Sequence, residues 1–242
     1  MPEISLRISL ERMREIGFRP GAIFDIGVAT GTSGLYKVFR DVPYVLVDPL
    51  EESVPFMKEI CARYKGAVYK VAAAGAQPGE ISIAVHPGLS GSGALLKGDY
   101  PRRVVPTVTL DQLIDEFDPP GPYLIKIDVQ GLELEVLKGL DRHSDKAEVV
   151  VLETSLWADR KKSGAPNFAE TIAYMAGRGF VLYDLANVAY RPRDGAIAEM
   201  DLVFCRPASE LRHFKSSRAP EQQADDFARK REKFAEPSKP QL

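Results

Sequence analysis

The 242-residue chain is poor in the residues that build disulfide and metal frameworks, with two cysteines and three histidines. Cys61 and Cys205 lie far apart and outside metal-ligand spacing, so both are read as buried reduced thiols. His86, His143 and His213 are equally scattered, and no zinc site is expected. No run of about 18 apolar residues occurs, which excludes a membrane-spanning helix. The opening MPEISLRISLERMREIGF has charges throughout and no apolar core segment, so it is not read as a signal peptide. Neither sign of charge dominates. Lys plus Arg number 32 against 34 Asp plus Glu, a net charge of −2 that carries no footprint of a nucleic-acid or anionic-membrane partner. No internal repeat is present. What remains is the composition of a cytoplasmic globular protein, long enough for one domain with an appendage.

Apolar runs of strand length alternate with segments of helical spacing, the pattern of an α/β, doubly wound, mostly parallel sheet with helices on both faces. Residues 4–16 place Leu6, Leu10 and Met13 on one helical face, and Gly17 follows as a stop. Strands are expected over 22–26, 44–47 and about 67–72. The helix after the second strand buries Leu50, Val54, Met57, Cys61 and Tyr64. Residues 80–108 differ: short strands flank an exposed run of small residues, GLSGSGALLKG. Thr109 with Gln112, and Asn167 with Glu170, read as capping boxes ahead of apolar helical runs. YLIKIDV, EVVVLET, FVLYDLA and AEMDLVFCR supply the remaining strands, the last two joined through the turn Asp194-Gly195. The domain is therefore placed at 1–206, with 1–18 as an N-terminal helix. The tail, 207–242, contains EQQADDFARKREKF, whose thin Ala224/Phe227/Phe234 stripe reads as a solvated or partly disordered helix. Contact with a second copy in a homodimer is the other reading of that stripe.

The stretch IFDIGVATGTSG, 23–34, joins a short apolar strand to a glycine loop. Such loops let backbone N–H groups and a helix N-terminus come close to a ligand. The spacing Gly27-x-x-x-Gly31 misses the dinucleotide fingerprint, and there is no Gly-Lys-Ser/Thr phosphate loop. Asp48 ends the next strand about 20 residues on, where an acid accepts the hydroxyls of a ribose. Together they describe a pocket for a nucleoside without phosphate, which suits S-adenosylmethionine, with Asp25 near its ammonium end. Thr30, Gly31 and Thr32 in the loop, Ala73 beyond the third strand and Asp128 complete the candidate cofactor contacts. The competing reading of the loop is a tight structural turn beside a capping acid.

In YLIKIDVQGLELEVLKGL, 123–140, Lys126 and Asp128 are two apart and so share one side of a strand. Ligands in open parallel sheets sit outside the carboxyl ends of the strands, which places Asp128 on the same edge as Gly27 and Asp48. These features, with FDIGVATG, VDP at 47–49, VTLDQLI, LIKIDVQGLELEVLKG, VVVLE and MDLVF, closely resemble the FkbM family of S-adenosylmethionine-dependent methyltransferases over roughly residues 20–206. The resemblance implies a Rossmann-like class I methyltransferase fold, a seven-stranded mostly parallel sheet with an antiparallel last strand. It implies O-methylation of a hydroxyl on a polyketide, sugar or related small-molecule or glycan acceptor. The family usually has Glu where this chain has Gln130.

Methyl transfer needs the acceptor oxygen held in line behind the methyl carbon, and a weak hydroxyl nucleophile needs a base or a metal. Asp128 is the first candidate base, Glu153 at the next strand's end the second, and Lys126 positions Asp128. A divalent metal on Asp128 and Glu153 is the less favoured alternative, because Gln130 contributes no charge. The loop around 88–98 and the segment 155–166 are candidate acceptor-side lids. An RNA or protein methyltransferase on the same fold lacks support from any basic face or Asn-Pro-Pro-aromatic signature. A non-catalytic cofactor-binding scaffold is the third reading.

Overall fold

The computed structural model describes residues 5–156 and 164–213. Their centre is a sheet of seven strands: β1 (Ala22–Ile26), β2 (Tyr44–Asp48), β3 (Val68–Val71), β7 (Tyr123–Ile127), β8 (Ala147–Ser155), β9 (Val181–Tyr190) and β10 (Ile197–Cys205). Their order is β3-β2-β1-β7-β8-β10-β9. Pairing is parallel from β3 to β8, and β10 runs antiparallel between β8 and β9. This is the expected doubly wound sheet with its antiparallel last strand. β1, β2 and β7 are buried along their whole length and are mostly apolar, as a sheet covered on two sides requires.

One face is covered by α1 (Leu6–Ile16), α2 (Ser33–Val38) and α3 (Val54–Arg63), which pack Leu10, Met13, Leu35 and Met57 on Ile23, Leu46, Leu124 and Val151. The other carries α4 (Leu110–Phe117), α5 (Glu133–Lys138) and α6 (Phe168–Gly177), with Leu113, Val136 and Met175 against Phe24, Ile125 and Val150. The N-terminal helix begins where Ser5 Oγ accepts the Ile8 N–H and ends at Gly17. Both capping boxes form: Thr109 and Gln112 exchange bonds at 3.1 and 3.0 Å, and Asn167 and Glu170 at 2.9 and 2.7 Å.

Several local expectations shift. In α3 the buried residues are Met57 and Ile60, while Val54, Cys61 and Tyr64 are half-buried and Leu50 precedes the helix. Neither cysteine is in a disulfide, and only Cys205 is buried. The segment 80–108 builds a separate three-stranded sheet with Ala73–Ala74, in the order β4 (Ala73–Ala74), β6 (Arg102–Val108), β5 (Gly79–Ala84). Beyond residue 206 the chain still packs on the domain. Ser209 Oγ donates to Glu148 Oε1 at 2.7 Å and Leu211 is buried in the core, so the packed unit reaches Leu211. The tail stripe 221–234 and residues 157–163 of the candidate lid lie outside the described residues.

From β1 the chain moves outward through β2 to β3, then returns to place β7 on the other side of β1. The reversal opens a crevice at the carboxyl ends of β1 and β7, the usual ligand position in such sheets. Gly27 sits there with φ +86°, and a Cβ on it would lie 1.9 Å from the Asp128 carbonyl oxygen. Gly91 has nearly the same dihedral, φ +88°, with nothing within 4 Å of an added Cβ. The pair separates backbone strain from collision. Gly27→Ala is expected to cost at least about 2 kcal/mol more than Gly91→Ala in urea unfolding; equal losses would show that the close approach is not needed.

Candidate active site

The crevice is a cavity of about 430 Å³. Of the expected cofactor residues, Gly27, Thr30, Gly31, Thr32, Asp48, Ala73 and Asp128 line it, together with Lys126 and Glu153. Asp48 shapes the glycine loop: its Oδ2 accepts the Ala29 N–H at 2.8 Å and its Oδ1 accepts the Leu50 N–H at 2.9 Å. One lone pair on each oxygen remains for a ligand. Burial pushes this carboxyl up against the pull of those two N–H groups. The small sheet supplies the far wall through Ile81 and Ile83, and the loop from Leu89 to Ala94 supplies the rim. The segment expected as a lid therefore borders the cavity in part.

Asp25 is placed differently from expectation. It is fully buried and does not line the cavity. Its Oδ1 accepts from Thr32 Oγ1 at 3.0 Å and its Oδ2 from the Tyr36 hydroxyl. The strand directs this side chain under α2, so it anchors the loop from below instead of meeting a ligand. Burial raises its carboxyl, opposed by Lys126 and by the two hydroxyl donors.

Strand register gathers the other charges. Asp25 on β1 lies opposite Lys126 on β7, and Glu153 on β8 lies opposite Asp201 on β10. The two-residue period of strands puts these side chains and Asp128 in one row on the face covered by α1 and α2. Lys126, only 4% exposed, donates from Nζ to Asp128 Oδ2 at 2.8 Å. Burial works to strip its proton, but the carboxylates of Asp128, Asp25 and Asp201 outweigh that, so the ammonium is held above its ordinary range.

Gln130 joins the two candidate bases. Its Nε2 donates to Asp128 Oδ1 at 3.0 Å and to Glu153 Oε2 at 2.9 Å. The backbone there has φ +59°, and Glu133 holds the turn by accepting the Val129 and Gly131 N–H groups. Burial works to raise the Asp128 carboxyl, but the Lys126 ammonium and the donors around it prevail, and it stays below the ordinary range. Glu153 is pushed up to about 9, by burial first and by the Asp128 charge second. The pair therefore divides its roles: Asp128 is ionised at neutral pH and Glu153 holds a proton. Among the described residues no three His, Cys, Asp or Glu side chains converge as metal ligands.

Two smaller cavities meet the first at Glu153 and Glu199. One of about 250 Å³ reaches over Lys126 to Asn187 and Asp201, and one of about 190 Å³ extends past Gln130 to Leu95 and Ala165. Tyr36, Glu133, Asn187, Glu199 and Asp201 were not among the expected site residues. An acid inside the apolar run MDLVF was the available signal for Asp201. No local pattern marks Asn187 or Glu199.

The raised Glu153 carboxyl has a stability consequence. The unfolded chain ionises this group near 4.5, whereas the folded chain retains the proton to about 9. Its stabilisation is complete below 4.5 and is lost as pH rises through that window. Glu153→Gln is expected to flatten the fall in Tm between pH 5 and 9; an unchanged pH profile would mean that Glu153 ionises normally.

A family model described as the methyltransferase FkbM domain matches residues 36–182, more than half of the chain. The glycine loop and the strand carrying Asp201 lie outside the matched stretch. Hexuronic acid methyltransferase AglP of Haloferax volcanii is 35% identical over 57 residues, and the match spans only 24% of either chain's length. Among solved structures, magnesium protoporphyrin IX methyltransferase of Synechocystis PCC 6803 with bound SAM is 14% identical with a TM-score of 0.46, covering 83% of this chain and 77% of that one. Precorrin-6y C5,15-methyltransferase of Geobacter metallireducens is 9% identical with a TM-score of 0.43, covering 83% and 86%. The length of the domain match decides the matter: the chain belongs to the FkbM family of S-adenosylmethionine-dependent methyltransferases.

Proposed function

We propose that this enzyme transfers a methyl group from S-adenosylmethionine to a hydroxyl of a small-molecule or glycan acceptor. The observation that carries the reading is the charge of the main cavity. Its described lining has four acids, Asp48, Asp128, Glu153 and Glu199, and Lys126 as the one cation. That lining repels phosphates and suits a cationic nucleoside. The glycine loop offers a wall without side chains, and Ala72, Ala73, Ile81 and Ile83 offer an apolar surface for a base. Asp48 would hold the ribose, and the loop 27–32 the amino-acid end.

The bound cofactor supplies an electrophilic methyl group and a positive charge. The chain's own residues then align the acceptor and take its proton. Asp128 is a poor proton acceptor, because Lys126 and Gln130 already satisfy one position on each oxygen. It acts as a fixed negative charge. Glu153 is the stronger base once it has released its own proton to solvent through the open cavity, a loss that the cofactor's positive charge favours. The order of the two candidates therefore reverses: Glu153 then takes the hydroxyl proton and Asp128, set by Lys126, polarises the site.

S-adenosylhomocysteine is expected to raise the Tm of the wild-type chain by mass action. Asp48→Ala should weaken its binding by roughly 1–3 kcal/mol in calorimetry, since the ribose hydroxyls lose their acceptor. Undiminished binding in this variant would remove Asp48 from the site. For catalysis, Glu153→Gln should lower turnover by about 10²–10⁴-fold while S-adenosylhomocysteine still binds. A fall of that size in Asp128→Asn, with Glu153→Gln near wild type, would restore Asp128 as the base.

A further inference from the structure

The cavity of about 250 Å³ beside Lys126 has a lining that the methyl donor does not account for. Its floor is Asp201, 6% exposed, on a strand whose pairing with β9 is irregular at this point. Register steps from Asp201 opposite Ala186 to Glu199 opposite Ala189, so β9 carries an extra residue. Asn187, with φ +49°, occupies the bulge. Such bulges re-aim side chains near functional sites. Here Asn187 Oδ1 accepts the Leu6 N–H at 2.9 Å and its Nδ2 donates to Asp201 Oδ2 at 2.7 Å. Among the described residues Asp201 Oδ1 receives no hydrogen bond, and Asp201 lines the cavity. Glu199 stands exposed at the junction of all three cavities, and among the described residues its side chain has neither an ion pair nor a hydrogen bond.

We infer that Asp201 and Glu199 form the acceptor's recognition site, and that the acceptor carries an ammonium group near the hydroxyl it presents, as an amino sugar or amino alcohol does. The inference rests on the methyltransfer reading above and adds the substrate class to it. Charge balance leads to it. Even with Glu153 counted as protonated, three described carboxylates of the cavity wall, Asp128, Asp201 and the exposed Glu199, face the single ammonium of Lys126. One sulfonium leaves at least one negative charge uncompensated, on the acceptor side. Asp201 titrates at about 6, raised chiefly by burial, so it is ionised at neutral pH, and a cation beside it deepens that ionisation. A carboxylate-bearing acceptor meets the opposite field and is rejected by like charge. Carboxylates on rigid strands also supply paired acceptors for the N–H and O–H donors of a vicinal amino alcohol.

The test uses the full chain saturated with S-adenosylhomocysteine and three probes on one ring: methyl glucosaminide, methyl glucoside and methyl glucuronide. Calorimetry should show the glucosaminide binding at least tenfold more tightly than the glucoside, with the glucuronide undetectable. Labelled methyl transfer from S-adenosylmethionine should rank them in the same order. Asp201→Asn keeps an acceptor for Asn187 and should cut the glucosaminide-to-glucoside ratio to below threefold, with Glu199→Gln doing the same independently. Equal affinities, preference for the glucuronide, no binding of any probe, or a ratio unmoved in both variants would overturn the assignment. A wild-type chain that fails to bind S-adenosylhomocysteine would instead bring down the methyltransfer reading beneath it.

Discussion

A single buried ammonium organises this enzyme's site. Lys126 lies in the middle of the sheet, and an isolated lysine there would lose its charge to desolvation. It keeps that charge because β1, the end of β7 and β10 bring the carboxylates of Asp25, Asp128 and Asp201 towards it. The dependence runs both ways. Without Lys126 the row would be a set of buried like charges, and the side chains would have to protonate or separate. With it, Asp128 stays ionised, Glu153 is driven to hold a proton, and the excess negative charge is turned toward the cavities. Asp25, least exposed of the row, then serves the loop through Thr32 and Tyr36.

The second constraint is the contact between the glycine loop and the end of β7. Gly27 donates its N–H to Val47 O at 2.8 Å, and Asp128 donates its own to Ile26 O at 2.9 Å. These bonds stitch three strand ends together at the switch point. They also fix the distance between the loop, where a nucleoside would lie, and the Asp128–Gln130–Glu153 group, where a methyl group would pass. A side chain at 27 would push the two apart. The loop and that group are thus tied to the same strand ends, while Leu89 and Ala94 of the bordering loop pack on the separate small sheet.

Gln130 shows how a neutral residue can tie two acids together. It holds Asp128 and Glu153 with one amide group, and Glu133 fixes the turn that presents it. A carboxylate at this position would add charge to a place that already has too much for its one lysine. The amide adds none, and donates to both carboxyls. This division of labour between neighbouring carboxyls is a general way to obtain an anion and a strong base in one site.

Local chemistry was enough for much of this protein. Capping residues, strand lengths, the glycine loop with its acid at the end of the next strand, and the Lys126–Asp128 spacing are all set by short stretches of sequence, so the sequence alone specified the helices, the parallel sheet and most of the cavity lining. Its domain boundary stopped short only because Ser209 and Leu211 find their partners on β8 and in the core. What the tertiary structure decided is everything that rests on register between distant strands. Asp25 turned from ligand contact to anchor because α2 brings Tyr36 over it. Glu153 meets Asp201 because β10 inserts antiparallel between β8 and β9, and Asn187 reaches Asp201 because β9 bulges there. The proton affinities follow from that assembly, since a carboxyl's ionisation is set by the charges packed around it, and those come from strands far apart in the chain.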